Sequence, residues 1–167
     1  SIYGVDGSSS VKDIYIDGKW KTVLISSLGA GGHSFFALDI TDPDNPKHLF
    51  TVNNDSSNGL VTFWNENGDD EIFAHNSSIL PENDYRKLGE TWSTPRIVKL
   101  KISGADKWVA IAGGGYNGAT NPNYGSAVFI IDLENDGKLI NKIDIQDKSS
   151  IDIVNSIPSD LTIITAD

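Results

Sequence analysis

The 167 residues carry 23 acidic against 13 basic side chains, a net charge of −10 that would repel a phosphate backbone and argues against a nucleic-acid partner. Cysteine is absent, which excludes disulfides, cysteine zinc sites and thiol nucleophiles, and no apolar run approaches the ~18 residues that cross a membrane as a helix. Methionine is missing even at position 1 and no leader is present, so the chain reads as an internal or processed piece of a longer protein.

Sixteen glycines and many Ser, Asn, Asp and Thr give a turn-rich composition that favours an all-β fold. Residues 10–16 alternate apolar and polar and meet Asp17-Gly18-Lys19, a hairpin signal. Residues 20–28 read as the second strand. Gly29 to Gly32 then lead into a third strand at 33–41, and DPDNP makes a rigid turn before a short fourth strand at 47–52. Four strands joined by tight turns form an antiparallel meander.

Residues 53–92 differ in character. They hold a strand candidate at 60–64, the turn NENGDDE and a short helix candidate after Pro81. The meander then recurs, with strands in 93–102, 108–118, 126–138 and 139–145. Trp108 follows Trp20 by 88 residues, and Ile130 follows Ala37 by 93. A third unit opens at Ile157. Repeated four-stranded sheets are the signature of a β-propeller. The expected division is a first blade at 1–52, an insertion at 53–92, a second blade at 93–148 and the start of a third at 149–167. Two blades and a stub do not close a ring. Either the parent chain is longer, or the fold is another all-β architecture.

The glycines 29–32 invite a phosphate-cradle reading, which fails on context. A cradle needs strand, glycines and then a helix N-terminus, whereas HSFFALDIT continues as a strand. Gly29, Gly31 and Gly32, with Gly113 and Gly114 in the second unit, are therefore expected to allow close backbone approach. Asp39 and Asp132 occupy equivalent places and are expected to make a recurring structural hydrogen bond to a turn backbone. Trp20 and Trp108 are expected to be buried between blades. Trp64 and Trp92 are likewise expected to pack between blades; if one of the four is an exposed, sugar-binding aromatic, Trp64 is the candidate.

Asn65, Asn67, Asp69 and Glu71 place oxygens at alternate positions, as in the first half of a calcium loop. The glycine sits fourth rather than sixth, and position twelve is Asn76 rather than Glu, which favours a solvated Asn-Gly turn. His33, His48 and His75 share no metal-ligand spacing, and no serine has a nucleophile elbow or a partner base.

The stretch YGVDGSSSVKDIYIDGKWKTVLISSLGAGGHSFFALDITDP resembles the C-terminal propeller domain of the PilY-type (also called PilC) type IV pilus biogenesis proteins. The carriers are a Trp before an apolar strand, the GAGG turn and ALDITDP. LGETWSTPRIVKL, KWVAIAGGGYNG and AVFIIDLENDGKLI are similar to the following blade of that family. The resemblance implies a partial, quinoprotein-like β-propeller of antiparallel four-stranded blades. It implies a non-enzymatic, exported protein at the bacterial surface or pilus tip, with an outer-membrane association open, that opposes pilus retraction and supports adhesion. Implied partners are pilins or minor pilins, and a host receptor or glycan. It also implies calcium in the full-length parent, held by an Asp-rich loop of which Asp167 would be the first ligand, so no calcium is expected in this segment. Two alternatives stay open: a quinoprotein-like dehydrogenase, which the fold also hosts, and a carbohydrate- or receptor-binding propeller unrelated to pili.

Overall fold

The computed structural model describes residues 4–116, 124–145 and 157–164. Strands β1 (Ser9–Ile16), β2 (Lys19–Ser27), β3 (Ser34–Asp39), β4 (Lys47–Asp55), β5 (Leu60–Trp64) and β6 (Asp70–Ala74) form one antiparallel sheet in chain order. Strands β7 (Arg96–Ile102), β8 (Ala105–Gly113), β9 (Ala127–Asp132) and β10 (Leu139–Asp144) form a second. The expected meanders are both present.

Residues 53–92 do not stand apart as an insertion. Asn53 to Asp55 complete β4, and β5 and β6 widen the first sheet from four strands to six. The reason is burial: Val61 and Phe63 point into the core from β5, and pairing with β4 on one side and β6 on the other satisfies the backbone that carries them. The helix candidate is a single 3-10 turn, Pro81–Asn83, which delivers Tyr85 to the core. Tyr85 is fully buried. Its ring stacks on Phe129 of the second sheet at 5.1 Å and meets Phe63 of the first edge-on at 5.6 Å, while its hydroxyl donates to Gly137 O at 2.6 Å. One side chain thus bolts the sheets together.

Hairpin register sets the true relation between the units. In β1–β2, Ile16 faces Lys19 across Asp17 (φ 52°) and Gly18 (φ 75°). In β7–β8, Ile102 faces Ala105 across Ser103 (φ 51°) and Gly104 (φ 87°). Both are two-residue turns with positive φ at both central positions, the twist that hairpins favour. The repeat offset in these hairpins is therefore 86 residues, as from Val23 to Val109, which sit opposite Asp39 and Asp132. The expected match of Trp20 with Trp108 is corrected by two residues. Trp108 corresponds to Thr22, and Trp20 to Asp106. A two-residue slip keeps a side chain on the same face, so alternation alone does not detect it.

The same register shows how the sheets stack. The first buries Val23, Ile25, Phe35 and Ala37; the second presents Ala110, Ala112, Phe129 and Ile131 to the same core. By repeat position these are opposite faces, since Phe129 corresponds to Phe36 and Ala110 to Leu24. The sheets are stacked in the same sense, as successive blades around an axis, rather than with like faces together. Beside the β1 edge lies β7, where Ser10 Oγ donates to Pro95 O and Lys12 Nζ to Ile97 O at 3.4 Å. Residues 157–164 reach that edge too: Asp160 Oδ1 accepts from Thr94 N at 2.6 Å, and Thr162 shares a cleft with Val11 and Ile97. The rest of the expected third unit, 149–156 and 165–167, lies outside the described residues.

Candidate functional site

The glycine turns are crossing points of the backbone. Between them runs a strap, residues 89–93. Gly29 N donates to Thr91 O at 3.1 Å at the first turn, while Gly89 N donates to Gly114 O at 2.8 Å and Glu90 N to Tyr116 O at 2.7 Å at the second. Thr91 is buried. Its hydroxyl accepts from Leu28 N at 2.8 Å and donates to Ser34 O at 3.0 Å. Ser93 Oγ accepts from Gly113 N at 2.9 Å. A Cβ at Gly31 would collide with the carbonyl of Gly4, and one at Gly115 (φ 85°) with that of Glu90. Gly29 and Gly32 complete the first turn; Gly113 and Gly114 enter the second. Sequence reasoning missed Thr91 and Ser93, whose only signal is an ETWS run between two repeats.

Asp39 and Asp132 carry the expected recurring bond. Asp39 Oδ1 accepts from Thr41 N at 3.0 Å and from its hydroxyl, which in turn accepts from Thr22 N at 2.9 Å. Asp132 Oδ1 accepts from Glu134 N at 2.9 Å, and Glu134 Oε1 accepts from Trp108 N at 2.8 Å. Each carboxylate closes the turn after its strand, and the residue two positions on caps the neighbouring strand. Burial works against the Asp39 charge, but the Thr41 hydrogen bonds outweigh it and lower its pKa. Asp132 also pairs with Lys107 Nζ. In separate sheets, each tied to its own turn, these two carboxylates do not form an acid/base pair.

The calcium candidates do not converge. Asn65 Oδ1 accepts from Asn67 N at 2.9 Å and Asp69 N at 3.0 Å, building the β5–β6 turn, and Gly68 (φ 81°) completes it. Asn65 Nδ2 reaches Asp69 Oδ2 at 3.5 Å, and Glu71 pairs with Lys138 at 3.6 Å across to the second sheet. Asn65, Asn67 and Asp69 make the turn, and Glu71 on β6 faces Lys138 instead, so the four are not gathered around one ion. Asp167 lies outside the described residues. Among the described residues no group of three or more His, Cys, Asp or Glu side chains is placed for a metal. His48 is held by Asn65 O at 3.0 Å and Thr51 Oγ1 at 2.8 Å, and His75 by Asn54 Oδ1 at 2.8 Å. Burial lowers the pKa of His33 and of His75.

The tryptophans depart most from expectation. Trp20 is not buried between blades: it is 65% exposed and packs edge-on against Tyr15, itself 53% exposed, at 5.5 Å. Its place beside the hairpin turn carries it past the end of the core. Trp108, by contrast, is half-buried and does pack against the core, with Lys12 Nζ 5.4 Å and Lys99 Nζ 5.9 Å from its ring centroid. Trp64 is half-buried at the end of β5. Tyr15, Trp20 and Trp108 line one cleft of about 690 Å³ at the turn end of the seam between the sheets, together with Asp17, Asp106 and Glu134. The cleft's sequence signal was available: Tyr15 and Trp20 flank a two-residue turn and are cross-strand partners.

The PilY1 beta-propeller domain model matches residues 1–162. The chain is 38% identical over 159 residues to a type IV pilus biogenesis factor PilY1 homolog of Xylella fastidiosa, covering 95% of this chain and 8% of that protein. It is 32% identical over 149 residues to the type IV pilus biogenesis factor PilY1 of Pseudomonas aeruginosa, covering 89% of this chain and 10% of that protein. The crystal structure of the Pseudomonas aeruginosa PilY1 C-terminal domain superposes with a TM-score of 0.57 at 30% identity, over 88% of this chain and 23% of that domain. The chain therefore spans 8–10% of the length of these two curated relatives. Same-sense stacking of two repeat sheets and a match over nearly the whole length lead to one assignment: this chain belongs to the PilY1 β-propeller domain family.

Proposed function

We propose that this chain is a propeller segment of a type IV pilus-associated protein that works by binding and assembly rather than by catalysis. It supports pilus growth by opposing retraction, and it contributes to surface adhesion. The observation that carries the reading is the match across residues 1–162, supported by relatives named as type IV pilus biogenesis factors. In this reading the whole protein is exported, sits at the cell surface or pilus tip and contacts pilins or minor pilins. Calcium, which the resemblance assigns to a loop opening at Asp167, remains a proposal for the whole protein. The test is a count of surface pili in cells lacking the whole protein, with the retraction motor intact and again with it removed. Pili that vanish in the first case and return in the second support opposition to retraction. Unchanged piliation in both overturns it.

A further inference from the structure

The fold does not require the Tyr15–Trp20 pair to be aromatic. Its counterpart in the second hairpin, at the same register beside the same turn, is Lys101 opposite Asp106. The fold is satisfied there by two exposed polar side chains. In the first hairpin it instead holds two large rings in water, at 53% and 65% exposure, on the wall of a cleft. The edge-on contact leaves about half or more of each side chain open to a ligand.

We infer that this cleft binds an uncharged saccharide, with Trp20 and Tyr15 as the platform for the C–H face of a pyranose ring. The inference rests on the adhesion part of the reading above, which puts the segment where glycans are met. The cleft's size suits a short oligosaccharide: about 690 Å³ lies within the range of ligand-binding clefts. The charges select against other ligands. Asp17 is paired with Lys21 at 3.3 Å and Asp106 with Lys99 at 3.3 Å, so the carboxylates remain hydrogen-bond acceptors with little net attraction for a cation. The cation positions near Trp108 are already taken by Lys12 and Lys99. The lysines that pair Asp17 and Asp106 are engaged by those carboxylates and offer little to an anionic sugar, which would also meet Glu134 in a chain of net charge −10. A ligand rich in hydroxyls and free of charge meets none of these penalties. Both walls of the cleft come from this chain, one from each sheet, so these binding groups are present together here.

The purified whole protein should be tested on an array of neutral gluco-, galacto-, manno- and N-acetylhexosamine oligosaccharides, with oligogalacturonate as the anionic probe. At least one neutral series should bind at or below millimolar concentration. W20A should weaken that binding about tenfold or more, as expected for a central aromatic contact. Y15K/W20D, which installs the pair that the second hairpin carries without loss of fold, should do the same. W92A, an exposed tryptophan outside the cleft, should bind as wild type. Absence of binding to every neutral series, a preference for oligogalacturonate, or unchanged binding by Y15K/W20D would overturn the inference. Pilus counts separate the two failures. Wild-type protein that restores pili but binds no neutral saccharide sinks the cleft alone. Saccharide binding with piliation unchanged in the deletion strains sinks opposition to retraction alone.

Discussion

The two hairpins, β1–β2 and β7–β8, share a turn and a register, and they differ where they meet water. Ile16 and Ile102 precede the turn in both, and the strands that follow carry Val23 and Val109 into the interior. One position further from the turn on each strand, the first hairpin exposes Tyr15 and Trp20 and the second Lys101 and Asp106. What repeats is what the fold requires. What fails to repeat marks where the fold leaves a choice, and so where binding specificity can be written.

The largest test of this comparison lies in the seam. Phe129→Ala should cost about 3–5 kcal/mol in equilibrium denaturation, because a buried ring stacked on Tyr85 is lost. Phe36→Ala, at the same repeat position on the outward face, should cost less than half as much. Equal costs would refute same-sense stacking. Next come the turns. Gly18→Ala and Gly104→Ala should each lower stability by about 1–2 kcal/mol and by similar amounts, since both have positive φ and open space around the would-be Cβ. Gly115→Ala should cost more than either, because it adds a backbone collision; a thermal-melt series orders the three.

A pH titration gives the third test, on the segment between the sheets. Burial opposes the Asp84 charge, yet hydrogen bonds from Arg86 (2.7 Å) and Lys142 (2.6 Å) outweigh it and hold the carboxyl well below the usual range. A depressed folded-state pKa stabilises above the unfolded value of about 4 and stops doing so as pH falls toward the folded one. Asp84→Asn should therefore flatten the acid limb of the stability curve below about pH 4. An unchanged limb would mean that Asp84 is not held by these partners. The smallest effect is at Trp20. Its replacement by Ala should change stability by about 1 kcal/mol or less, the worth of one exposed aromatic contact.

Local pattern carried much of this architecture. Alternation in residues 10–16, the Asp17-Gly18 turn and the paired roles of Asp39 and Asp132 all follow from neighbours in the chain. Two things did not. Matching Trp20 to Trp108 followed residue identity, and a strand tolerates a two-residue slip without changing face. The strap was hidden because its partners are remote: the Thr91 hydroxyl bonds to groups 63 and 57 residues away. The breadth of the first sheet was hidden likewise, since nothing in KHLFTV says whether its free edge will accept another strand.

The strap has a consequence for angular accuracy. A propeller closes only when the angles between its blades add up to a full turn, so an error at one wedge must be absorbed by the others. At this wedge the angle is set largely by main chain touching main chain, at glycines that leave no room for a methyl. Volume-conserving changes among the seam's hydrophobic side chains can then leave the wedge in place, so long as Tyr85 still spans it. The tolerance of the ring is thus partly separated from the identity of its core.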